Sequence, residues 1–196
     1  EEEVEFLISG KGPWRDILEE RGRMNRGWIP PRTRPVDYLE SVGWLREDTI
    51  VVHGVQLIDD EIDRLVEAGS TLVACPRSND WTGAGVPPIA KFYARGLRVA
   101  IGTDSLASAP DLNIFKEMKA IRRLAPDVPA SQILQSATIV GAQGLGRGRS
   151  HGAIEPGRQA ALIRVELPTG ISDVEEYLLS GIESTSIRWL EDIEVG

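Results

Sequence analysis

The sequence has 196 residues and a mass of 21.5 kDa, the size of one large domain or two small ones. Lys and Arg total 22 against 30 Asp and Glu, a net charge of −8, which excludes nucleic-acid binding by bulk charge and disfavours an anionic membrane surface. No apolar run approaches the ~20 residues that span a bilayer, the acidic start Glu1-Glu2-Glu3-Val4-Glu5 reads as neither signal nor transit peptide, and the single cysteine, Cys75, points to a reducing cytoplasm.

Val4, Leu7 and Ile8 recur at helical spacing, and after Gly10-Lys11-Gly12 a second helix opens at Pro13 with Trp14, Ile17 and Leu18 on one face. Residues 22–34 are rich in Gly, Arg and Pro and read as a loop. Pro35 opens a short helix ending near Gly43. From Thr49 the pattern becomes strand–helix alternation. Thr49–His53 is a strand, and a helix from about Asp59 stops at Gly69. Thr71–Cys75 is a second strand, Pro88–Gly96 a helix, and Arg98–Gly102 a third strand. Asp111 is expected to cap a longer helix carrying Leu112, Phe115, Met118, Ile121 and Leu124. A further helix spans about 130–143. Such units predict a parallel sheet whose strands are buried on both faces. Beyond Gly157 come an apolar run (Ala160–Val165), a helix near 172–180 and a strand-like stretch around 186–190.

Ligands of parallel α/β proteins sit beyond the carboxyl ends of the strands. The three strands end in His53, in Cys75-Pro76-Arg77-Ser78-Asn79 and in Gly102-Thr103-Asp104-Ser105, so a polar cluster is expected on one rim. His53 can polarise a substrate, shuttle a proton or bind a metal, or it can be satisfied by backbone groups. Asp104 can be a metal ligand or a general base, or it can cap a turn with Thr103, Ser105 and Ser108. Arg77, Ser78 and Asn79 offer donors to a ligand or hold their own loop. Cys75 reads as a small buried hydrophobe. His53, His151 and Cys75 are the only soft ligands, so a metal site within this chain would need carboxylates for most positions. Gly10-Lys11-Gly12 is too short for a phosphate loop, and Gly144–Arg149 follows no strand, so neither binds nucleotide by a glycine-rich motif.

Val52-His53-Gly54-Val55-Gln56-Leu57, Cys75–Asn79, Gly83-Ala84-Gly85-Val86-Pro87-Pro88 and Gly102–Ser108 occur in this order at close spacing. So do Phe115-Lys116-Glu117-Met118, Ala137-Thr138 through Gly141-Ala142, and Gly152–Ala160. The ordered set resembles the metal-dependent amidohydrolase superfamily. The resemblance runs to its chlorohydrolase, S-adenosylhomocysteine deaminase and aminodeoxyfutalosine deaminase branch. It implies an α/β fold, the C-terminal part of a (β/α)8 TIM barrel. Residues 1–157 would supply strands six to eight with their helices, and residues 158–196 would re-enter a small β-domain.

The family's His-x-His motif, its strand-five histidine and the glutamate after it are absent. The resemblance therefore makes the other half of the barrel, on the same or a separate chain, an expected partner, with self-association as an alternative. It implies that Asp104 binds a divalent metal (zinc, with iron or manganese as alternatives) and handles a proton of the attacking water, and that His53 acts in catalysis and contacts substrate. Arg77, Ser78 and Asn79 would contact substrate as well. The implied reaction is hydrolytic deamination or dehalogenation of a small heterocycle, an adenine-type nucleoside first. The chain would be inactive without its other half; the alternative is a non-catalytic remnant that serves as a binding or interaction module. A cytoplasmic location is expected, with neither nucleic acid nor membrane as partner.

Overall fold

The computed structural model describes residues 2–190. Helices α1 (Glu2–Ser9), α2 (Pro13–Glu20) and α3 (Pro35–Ser41) precede β1 (Ile50–Val52), α4 (Asp59–Glu67) and β2 (Thr71–Ala74). Then come α5 (Pro76–Thr82), α6 (Ile89–Ala94), β3 (Arg98–Ile101), α7 (Ile114–Leu124), α8 (Ala130–Ser136) and α9 (Ile139–Gly144). Strand β4 (Ile163–Val165), helix α10 (Val174–Leu178) and strand β5 (Ile187–Trp189) follow. The residues beyond 190 that were assigned to the small β-domain lie outside the described residues.

Strands β1, β2 and β3 form a parallel sheet in that order, with Val51, Leu72 and Val99 in one row and Val52, Val73 and Ala100 in the next. Successive side chains point to opposite faces. The Leu72 and Val99 row turns into a core with Ile62 and Leu65 of α4, Phe92 of α6, Met118 and Ile121 of α7 and Ile133 of α8. These apolar residues recur every three to four positions, which is why each helix lays one stripe on the sheet.

Burial on both faces holds for β2 but not for β1, whose Ile50 and Val52 are 40% and 47% exposed. Strand β1 is an edge strand, paired only with β2 among the described residues, and that face of it stays partly open. The helix expected over 130–143 is two helices, because Thr138 leaves helical geometry at φ −129° and ψ −95°. Strands β4 and β5 pair antiparallel after Gly157. Between them Leu179 and Ile182 are buried, and Leu179 joins the main core. Among the described residues no helix is long and apolar enough to cross a membrane.

Gly54 ties β1 to this core. It has φ +64°, and a Cβ there would lie 2.5 Å from Leu72 Cδ1 and 3.0 Å from Leu57 Cδ1. Left-handed backbone and overpacking both oppose a side chain. Gly54→Ala should therefore lower unfolding free energy by about 2–4 kcal/mol, measurable as a shifted urea midpoint; an unchanged midpoint would show that Leu72 moves freely.

Candidate active site

The hydrogen-bond ladder runs one residue past the strands. His53 N–H donates to the Val73 carbonyl at 2.9 Å, and Gly102 N–H donates to the Ala74 carbonyl at 3.0 Å. The chain then turns sharply. His53 (φ 69°) and Asp104 (φ 61°) are two of the three described non-glycine residues with positive φ, the third being Arg32. Holding such a residue there costs roughly 1–3 kcal/mol, and strain of this kind clusters at functional sites.

The turns bring the two side chains together. His53 Nε2 lies 4.0 Å from Asp104 Oδ2, with both side chains just over a third exposed. His53 makes no side-chain hydrogen bond among the described residues, and its Nδ1 is buried without a partner. The imidazole is thus uncommitted to the scaffold. Asp104 is held firmly: Ser78 Oγ donates to its Oδ2 at 2.7 Å and Ser108 Oγ donates to the same oxygen at 2.8 Å. The Ser78 and Ser108 hydroxyls, followed by nearby His53, hold the Asp104 carboxyl below its usual range.

Ser78 and Asn79 are each 1% exposed. They sit on α5, which sequence reading took as loop. Pro76 at its first position and Gly83 at its left-handed end (φ 69°) are the signals for this helix. A cleft of about 720 Å³ joins His53, Asp104, Ser78 and Asn79 on one side to Glu2, Glu3 and Trp14 of the first two helices on the other. Trp14 and Ser108 were not picked out by sequence as site residues. The spacing of Ser108 four residues after Asp104 was the available clue; nothing local marked Trp14.

Arg77 is placed apart from its neighbours and does not line this cleft. Its Nη1 is 2.7 Å from Asp111 Oδ1 and 3.5 Å from Glu117 Oε1, and its backbone N–H donates to Glu117 Oε2 at 3.2 Å. Glu117 is fully buried. Burial pushes its carboxyl up and Arg77 pulls it back. Asp111 does not cap α7: Asn113 does, accepting from Phe115 N–H at 2.9 Å, while Asp111 accepts from Asn113 N–H and from Lys116. Cys75 is buried and its thiol is pushed up to about 11, by burial first and then by the charges of Asp104 and Glu117, so it stays protonated and inert. His151 bonds Ser150 Oγ at 2.8 Å and is not among the residues lining the cleft.

Comparison with known proteins is consistent across three kinds of relative. The profile of the amidohydrolase family matches residues 20–189. A 5-methylthioadenosine/S-adenosylhomocysteine deaminase of Haloarcula marismortui is 36% identical over 166 residues, covering 79% of this chain and 38% of that protein. A zinc-bound adenosine deaminase structure from Xanthomonas campestris superposes with a TM-score of 0.75 at 31% identity, over 88% of this chain and 39% of that one. The zinc complex of an atrazine chlorohydrolase from Arthrobacter aurescens gives 0.71 at 26% identity, over 79% and 37%. The chain thus spans well under half the length of each of these three relatives.

The Arg77 contact gives Asp111 a measurable signature. Its pKa falls from the ordinary 3.8 to about 2, through Arg77 first, against some desolvation. A lowered carboxylate pKa stabilises the fold above the unfolded value, and that contribution is lost as pH falls from about 4 towards 2. The Asp111 side-chain carboxyl ¹³C resonance should titrate near 2 in the native chain and closer to 3.8 in Arg77→Ala; equal midpoints would remove the interaction.

Proposed function

The chain belongs to the amidohydrolase family, and from that premise we propose that it supplies strands six to eight of a (β/α)8 barrel in a metal-dependent hydrolase. The proposed reaction removes an amino group or halide from an electron-poor heterocycle by water, with adenine-type nucleosides as the first substrate class. The observation that carries this reading is the meeting of His53 and Asp104, 4.0 Å apart, beyond the carboxyl ends of parallel strands and on one cleft. The family relationship and its solved relatives place the fold in the α/β barrel type, and the names of the relatives support the substrate class.

The donors fit one side of a cation site. Asp104 is a carboxylate held ionised, and the ring nitrogens of His53 are free of hydrogen bonds among the described residues. No group of three or more His, Cys, Asp or Glu suited to a metal occurs among those residues, so the set is incomplete among the described residues. On the proposed reading the remaining barrel strands bring the further ligands, and the chain is inactive without them. When bound, a divalent cation supplies Lewis acidity and lowers the pKa of a coordinated water. Zinc is the first choice because the Xanthomonas and Arthrobacter relatives hold it; iron and manganese suit the same donors.

Asp104 would be one of the ligands of that cation and would accept a proton from the attacking water. His53 stabilises the charge that develops on the substrate. Asn79 borders the cleft, and its Nδ2, buried and unpaired among the described residues, is a donor that a substrate reaching it would satisfy. Arg77 acts at one remove, tying α5 to Asp111 and Glu117.

In the complete enzyme, Asp104→Asn should lose bound metal and turnover together, and full activity in that variant would end the assignment. His53→Ala should lower kcat by roughly 10²–10³ while retaining most of the metal, as measured by metal analysis beside steady-state kinetics. Normal turnover would remove the catalytic role of His53.

A further inference from the structure

We propose that Ser78, seconded by Ser108, is a positioning residue for Asp104, presenting one chosen carboxylate oxygen to the cation, and is not a substrate contact. The inference rests on Asp104 being a cation ligand. Both hydroxyls converge on the same atom: Ser78 Oγ lies 2.7 Å and Ser108 Oγ 2.8 Å from Oδ2, and the two hydroxyl oxygens are 2.9 Å apart. Asp104 Oδ1 accepts no hydrogen bond among the described residues. Rotating the carboxyl group would break two charge-assisted hydrogen bonds at once, so the oxygen left open is selected by the scaffold.

The two hydroxyls come from different elements. Ser78 rides on α5 after β2, and Ser108 on the loop after β3. Ser78 is 1% and Ser108 7% exposed, so neither offers the cleft a free hydroxyl surface. A serine has one proton to donate, and that of Ser78 is spent on Asp104. Helix α5 is in turn anchored from its other side by Arg77 on Asp111 and Glu117. The chain of support runs from a buried ion network through a helix to a hydroxyl, and from there to the ligand oxygen. Removing such support from a ligating group typically weakens metal binding or activity 10–100-fold.

The test is zinc affinity together with kcat and KM, measured on the complete enzyme for Ser78→Ala, Ser108→Ala, the double variant, Ser78→Thr and Asp104→Asn. Zinc affinity should fall roughly tenfold in each alanine variant and towards 100-fold in the double one, with KM unchanged. Ser78→Thr, which keeps the hydroxyl, should recover most of the loss. Wild-type zinc affinity in the double variant would overturn the proposal. So would a raised KM with zinc retained, because that pattern marks a substrate contact. If Ser78→Ala does not fold, Ser108→Ala on its loop carries the same test. Retention of zinc by Asp104→Asn is a separate failure: it would sink the ligand assignment itself, and the inference with it.

Discussion

Two backbone hydrogen bonds just past the strands, His53 N–H to the Val73 carbonyl and Gly102 N–H to the Ala74 carbonyl, hold three parallel strands in one register up to the point where they stop being strands. Everything at the rim depends on this. A slip of one residue in any strand would exchange its two faces. The row of Val51, Leu72 and Val99 would then leave the helices, and the residues leading to His53 and Asp104 would emerge on the wrong side. The core and the site are therefore set by one alignment, which the burial of Leu72 and Val99 enforces.

Helix α5 divides the polar residues after β2 between two tasks. Arg77, Ser78 and Asn79 are consecutive and so fall within a single helical turn, yet Arg77 turns to Asp111 and a fully buried Glu117, while its neighbours border the cleft. A helix of seven residues has too few internal hydrogen bonds to persist alone. Its orientation is held instead by Arg77 behind and Ser78 in front. A buried carboxylate such as Glu117 is costly unless paired, and Arg77 supplies the counter-charge. The stability of that pair and the aim of Ser78 are thus mechanically linked.

The parallel strands were legible because β-branched runs alternate with amphipathic helices, and His53 and Asp104 stood out because strand ends are where chemistry gathers in such folds. What was not legible depended on distance along the chain. The partners of Arg77 lie 34 and 40 residues away, so its guanidinium looked as free as the side chains of Ser78 and Asn79. Helix α5 was hidden by its Ser, Asn, Asp and Gly content, which favours loops locally, although Pro76 and Gly83 marked its ends. Asp111 was expected to cap α7 because it resembles a cap, yet Asn113 lies nearer and takes the Phe115 N–H. The exposed face of β1 could not be seen in an apolar run, because composition does not say which strand lies at an edge.

The left-handed backbone at His53 and Asp104 also narrows the alphabet from which evolution can draw at these positions. Gly enters that region freely and Asn, Asp and His at less cost than other side chains, whereas β-branched residues do so at the largest steric penalty. A descendant of this sequence that lost its chemistry while keeping its fold would be expected to carry Asn or Gly at position 104 far sooner than Val or Thr. The path from enzyme to inert scaffold is thereby channelled by torsion angles, and a surviving aspartate at that position cannot be credited to catalysis alone, since the turn itself favours it.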